Sequence, residues 1–170
     1  MEQLEVLKSQ LNAFFNIRVI TLEPLAIPEK FRSSYNEKYS ADSLLLLLSK
    51  LKNDTIIEVI GITNKEIYTY QKTKFKQGNK SVYLNERIGI YGLGYLAGSS
   101  CIVSDYKFIK NDEALLNNLT RKAILHEIGH NLGLKHCSDE TCVMAEADGD
   151  ISNLIKLGHD YCKNCRKKLK

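Results

Sequence analysis

The chain has 170 residues, of which 44% are hydrophobic and 26% charged, a balance typical of one soluble globular domain with its own core. No apolar run approaches the roughly 20 residues needed to span a bilayer, so we expect no membrane segment. The formal net charge of +4 does not predict nucleic-acid binding, because five basic residues and no acid lie in the last eight positions and the rest of the chain is nearly neutral.

The first part of the chain predicts alternating helices and strands. Residues 1–15 have a mixed helical pattern, and β-branched residues predict a strand over residues 16–22. Ser40 is typical of a helix N-cap. Residues 55–63 are rich in Ile and Val and predict a buried strand. The helix after Ser40 should pack against a sheet, because four leucines recur at helical spacing: Leu44, Leu47, Leu48 and Leu51.

Short strands and turns are predicted from residue 64 onward. Gln77-Gly78-Asn79 indicates a turn, and residues 88–93 are the candidate edge strand of the sheet. Residues 100–106 predict an interior strand. We interpret Cys101 within it as a buried apolar thiol rather than a metal ligand.

A long helix over residues 112–132 is predicted to carry His126, Glu127 and His130. Histidines four residues apart share one helix face, so His126 and His130 can direct imidazole nitrogens at a single metal ion. Gly133 lies where a left-handed residue would end the helix, which lets the chain turn back and supply His136 as a third ligand. Three histidines leave a fourth position open for water, as a catalytic zinc requires, and Glu127 can reach that water.

The complete pattern, HExxHxxGxxH, has the spacing of metzincin proteases and is far more specific than HExxH alone. Gly129 lies inside the helix at a cost of up to about 1 kcal/mol relative to alanine, which we attribute to close packing against the sheet. Met144 fits a Met-turn beneath the metal, although a methionine considered in isolation is better explained as core filler.

Four cysteines form a second set: Cys137, Cys142, Cys162 and Cys165. Their paired spacing is typical of a closed, structural zinc site with four thiolates. Two disulfides are the alternative. The N-terminal residues are charged and amphipathic and do not form a signal sequence, so we expect a cytoplasmic protein, and a reducing compartment favours the zinc site.

From residue 126 to residue 165 the chain resembles the archaemetzincin (archaelysin) family of metzincin-type zinc metallopeptidases. The resemblance rests on HExxHxxGxxH with a cysteine directly after the third histidine, on Cys142-Val143-Met144 and on Cys162-Lys163-Asn164-Cys165. Tyr161 departs from the expected phenylalanine, which leaves the ligands unaffected. Weaker likeness lies upstream, at Gly61-Ile62-Thr63, Tyr91-Gly92-Leu93-Gly94, Cys101-Ile102-Val103-Ser104 and Arg121.

The resemblance implies a single metzincin-like α/β (α+β) domain over residues 1–170. Residues 1–133 would form a twisted mixed sheet with one antiparallel edge strand, a packing helix and an active-site helix, and residues 134–170 a small zinc-stapled C-terminal part. It implies two zinc ions, a catalytic one on His126, His130 and His136 and a structural one on the four cysteines. Glu127 would be the general base and Met144 would form the Met-turn.

In metzincins the edge strand receives the substrate as an added antiparallel strand. Gly92, Gly94 and Gly98 either let a peptide approach this strand closely or are ordinary turn and bulge glycines.

The expected activity is zinc-dependent hydrolysis of peptide bonds. Zinc lowers the pKa of its bound water, and Glu127 takes the proton of that water and passes it to the leaving amine. Some metzincins use a tyrosine shortly after the Met-turn to assist the developing oxyanion. Ala145 and Glu146 follow Met144 here, so that role is either empty or filled by Tyr91, Tyr95 or Tyr161.

Two alternatives remain at this point. One is a zinc-binding protein with a metzincin scaffold and a binding or regulatory role. The other is a nucleic-acid or regulatory module built on the four-cysteine zinc and the basic end of the chain. We favour a monomer with a peptide or protein substrate, no nucleic-acid partner, no membrane partner and a solvated tail made by Lys163, Arg166, Lys167, Lys168 and Lys170.

Overall fold

The computed structural model describes residues 2–77, 80–110 and 112–169. The turn predicted at Gly78-Asn79 therefore lies outside the described residues, as does Lys170 of the basic tail. Within the described ranges, no helix has both the length and the apolar composition needed to cross a membrane.

The helices and strands alternate along most of the chain. The helices are α1 (Glu2–Phe15), α2 (Ala41–Ser49), α3 (Glu113–Asn131), α4 (Ile151–Lys156) and α5 (Lys163–Lys168), with a short 3-10 turn at Glu29–Phe31. The strands are β1 (Tyr39–Ser40), β2 (Val59–Thr63), β3 (Ile67–Gln77), β4 (Lys80–Ile90), β5 (Gly92–Gly94) and β6 (Ser100–Ser104).

The strands form two mixed sheets of three strands each, in the orders β1-β3-β4 and β2-β6-β5. In the second sheet β2 runs parallel to β6, and β5 runs antiparallel to it at the edge. Every residue of the central strand β6 is buried, as expected for a strand covered on both faces. The predicted mixed α/β class is confirmed, but the described strands are divided between two sheets instead of forming one.

The predicted edge strand over residues 88–93 is interrupted at Tyr91. Residues 88–90 end β4, which is the edge of the first sheet, whereas residues 92–94 form the edge strand β5 of the second. The chain therefore passes from one sheet edge to the other within a few residues, and its change of direction at Tyr91 brings β5 onto α3.

The strand predicted over residues 16–22 is absent from the described structure. Asn16 adopts a left-handed conformation with φ of 53°, and the Val19 N–H donates to Asn12 Oδ1 at 2.6 Å instead of joining a strand ladder. Ile17 and Ile20 are 39% and 52% exposed. β-branched composition alone does not produce a strand where no neighbouring strand accepts the hydrogen bonds.

The two longer central helices begin with the caps that their sequences favour. Ser40 caps α2 by accepting a hydrogen bond from the Ser43 N–H at 3.2 Å, as predicted, and Asp112 caps α3 in the same way from the Leu115 N–H at 2.9 Å. Helix α2 packs on a small core around Ile67 and Ile102. Helix α3 is enclosed in the larger core between α1, β6 and the C-terminal segment.

The basic end of the chain is not a free solvated tail. Arg166 pairs with Asp160 and donates from Nε to the Tyr161 carbonyl at 3.2 Å. Its guanidinium lies 5.8 Å from the centre of the Phe14 ring, and Leu169 packs against the main core. Arg166 is therefore held by contacts with the body of the fold while its side chain stays 58% exposed, and Lys167 and Lys168 are exposed as expected for a solvated end.

A buried lysine joins α3 to the C-terminal part. Lys122 is only 2% exposed, and its ammonium donates to three carbonyls at the end of α4: Leu154 (3.3 Å), Ile155 (2.8 Å) and Leu157 (2.6 Å). Burial lowers the pKa of Lys122. A cation at a helix C-terminus also meets the negative end of the helix dipole, so Lys122 fixes α4 against α3.

Replacement of Lys122 by methionine is expected to lower the free energy of unfolding by about 3 kcal/mol, because buried carbonyls lose a charged donor. Chemical denaturation measures the change. The matched variant Lys156→Met, at an exposed position of α4, should change stability by less than about 0.5 kcal/mol. Equal effects of the two substitutions would contradict this role for Lys122.

Candidate metal centres

Helix α3 directs two imidazoles at one point. His126 and His130 lie one turn apart, and their Nε2 atoms are 3.1 Å from each other. Each ring is held through its other nitrogen, since His126 Nδ1 lies 2.8 Å from the Val143 carbonyl and His130 Nδ1 lies 2.8 Å from the Leu134 carbonyl. A carbonyl can only accept, so both Nδ1 atoms carry the proton and both Nε2 atoms keep a lone pair for a metal.

The end of α3 explains how the third histidine arrives. Gly133 has φ of +89°, which confirms the predicted left-handed residue. The Leu134 N–H bonds to the Gly129 carbonyl and the Gly133 N–H to the His130 carbonyl, the pattern of a Schellman motif. This turn delivers the Leu134 carbonyl to the ring of His130 and sends the chain back toward the helix with His136.

The three histidines form a cluster that is open on one side. Their ligand atoms all lie within 4.8 Å of one another, and His136 is the exposed member. Glu146 lies on this side, with its Oε1 3.5 Å from His136 Nδ1. Burial lowers the pKa of His126 to about 4 and also lowers that of His130, which keeps both rings neutral and able to ligate at neutral pH.

The donor set fits a zinc ion. Ligand nitrogens about 2.05 Å from a tetrahedral zinc lie about 3.3 Å apart, and the separation between His126 Nε2 and His130 Nε2 is close to this. Three histidine ligands with one open side match the ligand number of a catalytic rather than a structural zinc.

Glu127 lies beside this cluster and under the edge strand. Its side chain is only 6% exposed, and burial raises its pKa to about 8, against the opposing effect of the Gly94 N–H. A Cβ on Gly92 would collide with the Glu127 carboxyl group, and one on Gly94 would lie 2.6 Å from the Glu127 carbonyl. The absence of side chains at these two positions therefore lets β5 pass directly over the helix.

Gly98 serves the same purpose one turn further along α3. A Cβ there would lie 2.7 Å from Asn131 Oδ1. The three glycines thus make room for α3, which neither the peptide-approach interpretation nor the turn-and-bulge interpretation predicts. Asn131 donates in turn to Glu58 Oε1 at 2.5 Å, and burial raises the pKa of Glu58 to about 7.

Gly129 accommodates the turn that contains Met144. A Cβ at residue 129 would collide with the Met144 sulfur and lie 3.1 Å from Cε1 of Tyr161. The expected packing of Gly129 against the sheet is therefore wrong, because its neighbours belong to the C-terminal segment. Met144 is fully buried beneath the helix that carries the histidines.

The segment Cys142-Val143-Met144 connects the two clusters. Val143 offers its carbonyl to His126, the Met144 carbonyl accepts from the Cys137 N–H at 2.9 Å, and Cys142 turns its thiol toward the other cysteines. Since His136 and Cys137 are adjacent in sequence, a displacement of the cysteine cluster is transmitted directly to the third histidine.

The four cysteines predicted as a set converge on one point. The sulfurs of Cys137, Cys142, Cys162 and Cys165 all lie within 4.8 Å of one another, and all four are free thiols. Four sulfurs about 2.3 Å from a tetrahedral zinc lie about 3.8 Å apart, and the separation between Cys137 and Cys162 is 3.8 Å. Their convergence as one group of four fits a closed metal site better than two disulfides. Cys101 is fully buried elsewhere in the core, as interpreted.

The three candidate tyrosines have different surroundings. The Tyr161 hydroxyl is buried and donates to the Leu125 carbonyl at 2.7 Å, while the Tyr95 hydroxyl bonds to Asp42. Tyr91 connects β4 to β5. Burial raises the pKa of Tyr91 strongly, and the nearby negative charge of Glu127 raises it further.

Some contributors to the site could not be read from the sequence. The carbonyls of Val143 and Leu134 orient the histidine rings, and any residue type supplies a carbonyl. Asn131 and Glu58 are far apart in sequence. Asn131 could have been noticed in the sequence as a polar residue near the end of the helix, but its partner Glu58 could not.

A sequence model of peptidase family M54 matches residues 8–170 of the chain. The archaemetzincin of Archaeoglobus fulgidus is 27% identical over 166 residues, which cover 98% of this chain and 90% of that protein. The archaemetzincin of Pyrococcus furiosus is 29% identical over 157 residues, which cover 90% and 75%.

Solved structures give the same relationship. The crystal structure of the Archaeoglobus fulgidus archaemetzincin, complexed with malonate, superposes with a TM-score of 0.78 at 26% identity and covers 98% of this chain and 92% of that one. The archaemetzincin of Methanopyrus kandleri shares the fold, with a TM-score of 0.80 at 21% identity over 99% of this chain and 84% of that one. These matches and the histidine cluster define a zinc metallopeptidase. The chain belongs to peptidase family M54, the archaemetzincins.

Proposed function

We propose that the chain hydrolyses peptide bonds at a zinc ion held by His126, His130 and His136, with Glu127 as the general base. The observation that carries this proposal is the open cluster of three histidines, whose first member on α3 is followed directly by the buried carboxyl group of Glu127. Hydrolysis of quenched fluorescent peptides should follow zinc content, so it should stop after chelation and return when zinc is restored.

Two of the three histidines, His126 and His130, contribute lone pairs that are already oriented. The Val143 and Leu134 carbonyls hold the protons of His126 and His130 on Nδ1, so the rings need not rotate when the metal binds. His136 closes the set from the exposed side, where a substrate can approach. Zinc supplies a water of lowered pKa and polarises the substrate carbonyl when it is bound there.

Glu127 moves the proton during the reaction. In its ionised form the Glu127 carboxylate accepts a proton from the attacking water and then donates it to the nitrogen of the leaving amine. The edge strand above it, with glycines at residues 92 and 94, excludes bulk water from the carboxyl group. The open edge of β5 supports the binding of an extended peptide by added strand pairing.

Tyr91 is our choice among the three tyrosines for stabilising the oxyanion. The hydroxyls of Tyr161 and Tyr95 already bond to Leu125 and Asp42. Tyr91 lies near enough to Glu127 for the carboxylate charge to affect its pKa. A raised pKa keeps the phenol protonated, as a hydrogen-bond donor must be.

The variant Tyr91→Phe is expected to reduce kcat about 10- to 100-fold with little change in KM, because the lost hydrogen bond forms mainly in the transition state. Steady-state kinetics on a short peptide measures both values. Tyr95→Phe is the matched control and should retain kcat within about threefold. A larger loss of kcat in Tyr95→Phe than in Tyr91→Phe would indicate that Tyr95, and not Tyr91, stabilises the oxyanion.

We further propose that the four cysteines hold a second, structural zinc. The closed group of four free thiols supports this assignment, and four thiols held together without disulfides favour a reducing, cytoplasmic location. Elemental analysis should find two zinc ions per chain. We expect the enzyme to act as a monomer on peptide or protein substrates.

A further inference from the structure

Strands β3 and β4 form a long ribbon next to the metal centre. They pair in antiparallel register from Ile67 opposite Ile90 to Gln77 opposite Lys80. Among the described residues, only Ile67 and Tyr68 of the ribbon pair with a third strand, β1, so from Thr69 outward the described ribbon consists of two strands. At about 3.4 Å per residue the two-stranded part is roughly 30 Å long.

One face of the ribbon combines tyrosines with cations. Because side chains alternate across a strand, Tyr68, Tyr70, Lys72 and Lys74 share a face with their partners on β4. Those partners include Arg87 opposite Tyr70 and Tyr83 opposite Lys74. Two of these rings are open to solvent, with Tyr70 51% and Tyr83 62% exposed, whereas Tyr68 at the base of the ribbon is buried. We call this surface the basic ribbon face.

Two of the cations on this face, Lys74 and Arg87, lie over aromatic rings. Lys74 Nζ is 6.0 Å from the centre of the Tyr83 ring. The Arg87 guanidinium is 5.4 Å from the Tyr70 ring and 5.4 Å from the ring of Tyr35, which is 86% exposed. Arg87 also donates to Tyr70 Oη at 2.8 Å and to Ser33 Oγ at 2.7 Å. These contacts hold the charged groups in a fixed pattern.

The basic ribbon face lacks carboxylates. No Asp or Glu occurs between residues 67 and 85, and Glu86 belongs to the opposite face, where it accepts from Thr73 Oγ1. Two ion pairs near the base of the ribbon are internally neutral: Lys38 with Glu66, and Arg32 with Glu37. Within the described residues, none of the ion pairs includes Lys72, Lys74 or Arg87.

The ribbon is tied to the catalytic region at its base. Strand β4 leads through Tyr91 into β5, which lies over Glu127. The loop after Met144 also reaches the ribbon, since a Cβ on Gly149 would lie 3.3 Å from the Gly89 carbonyl. A chain bound on the ribbon would therefore be held within about ten residues of a peptide bond at the metal centre.

We propose that the basic ribbon face is a docking site for acidic segments of protein substrates. This inference rests on the proposed peptidase function and names the class of substrate that it favours. Carboxylates on an extended chain would replace the missing acidic partners of Lys72, Lys74 and Arg87. The tyrosine hydroxyls offer further donors, and long-range attraction would raise the rate of encounter.

The open edge of β4 favours a polypeptide over a nucleic acid. In the order β1-β3-β4 this strand is at the edge of its sheet, so its outward N–H and C=O groups can pair with an extended peptide. A single-stranded nucleic acid could stack on the tyrosines but cannot complete the backbone pairing. An extended peptide and a single-stranded nucleic acid are therefore expected to give different results in one binding experiment.

The test measures binding without turnover, in the zinc-loaded variant Glu127→Ala. The probe is a fluorescein-labelled peptide of about twelve alternating Glu and Ser residues, enough to follow one strand of the ribbon, and its dissociation constant is measured by fluorescence anisotropy. Two further proteins are compared with this variant. One carries Glu127→Ala together with Lys72→Glu and Lys74→Glu, and the other carries Glu127→Ala together with the control pair Lys167→Glu and Lys168→Glu. The control causes the same change in net charge at an exposed basic segment outside the ribbon. An oligothymidine of equal charge is the competing ligand.

We expect the ribbon pair to weaken peptide binding about tenfold or more and the control pair to weaken it less than about twofold, at unchanged melting temperatures. Equal weakening by both pairs, absence of peptide binding, or tighter binding of oligothymidine than of the peptide would overturn the proposal.

Cleavage is a separate readout in the unmodified chain. If the ribbon binds the peptide as predicted but the chain cleaves nothing, the proposed function fails and the docking site stands. If short peptides are cleaved but the ribbon does not bind, the docking proposal alone fails.

Discussion

Replacing Glu127 with glutamine is expected to reduce kcat/KM for peptide hydrolysis by about 10³-fold, within the range for loss of a general base. Glutamine has nearly the same shape, so it should fit beneath Gly92 and Gly94, but it cannot accept a proton from water. Zinc content and melting temperature should therefore stay at the values of the unmodified chain. Steady-state kinetics, elemental analysis and thermal unfolding measure the three quantities.

The matched control is Glu146→Gln. Glu146 is a carboxylate near the same cluster, but it is exposed and lies 3.5 Å from His136 Nδ1. Its replacement should reduce kcat/KM less than about tenfold. Full activity of Glu127→Gln, or equal losses in the two variants, would show that Glu127 is not the base.

Replacing Cys162 with serine is expected to lower the melting temperature by about 10 °C or more and to remove one zinc ion per chain. Binding of zinc to four thiolates is coupled to folding, so losing one ligand removes several kcal/mol of stabilisation. Activity should also fall, because Cys137 and His136 are adjacent and the Met144 carbonyl holds the Cys137 N–H. Thermal unfolding at matched zinc concentration and elemental analysis provide the measurements.

Cys101→Ser separates this effect from the general cost of changing a buried thiol. Cys101 is fully buried but lies outside the four-cysteine cluster. The substitution should cost about 1–3 kcal/mol for burying a hydroxyl, while both zinc ions remain bound. If Cys162→Ser had the same melting temperature as the unmodified chain, the cysteine cluster would not be a structural zinc site.

The grouping of the three histidines and of the four cysteines was predictable because metal binding imposes short, exact spacings on the sequence. Residues 126 and 130 must share a helix face, and Gly133 is needed where φ is +89°. The four cysteines could likewise be grouped from their pairing, although the sequence left disulfides open. Their convergence in the fold favours the metal site.

The parts that depend on distant neighbours were less predictable. Residues 16–22 have strand composition but form no ladder in the described structure, and residues 88–93 divide between two sheets. Gly129 was assigned to sheet packing, yet it faces Met144 and Tyr161 from the C-terminal segment. Such contacts depend on which elements meet in three dimensions, and local propensity carries no information about that choice.

The supporting hydrogen bonds of the site were also outside the reach of sequence reasoning. Val143 and Leu134 orient the histidines through their carbonyls, so their side chains give no signal. Lys122 appeared within an apolar helix as one more charged residue, and only its three carbonyl partners reveal its function in holding α4.

The central claim is that the histidine cluster is a hydrolytic centre, and its most direct test is mass spectrometry of a diverse peptide library incubated with the zinc-loaded chain in ¹⁸O-labelled water. The account predicts new peptides that carry the label in their C-terminal carboxyl groups, and none with Glu127→Gln. The absence of labelled products while zinc fills the histidine cluster, or equal products from both proteins, would contradict the account and favour a binding role for the same scaffold.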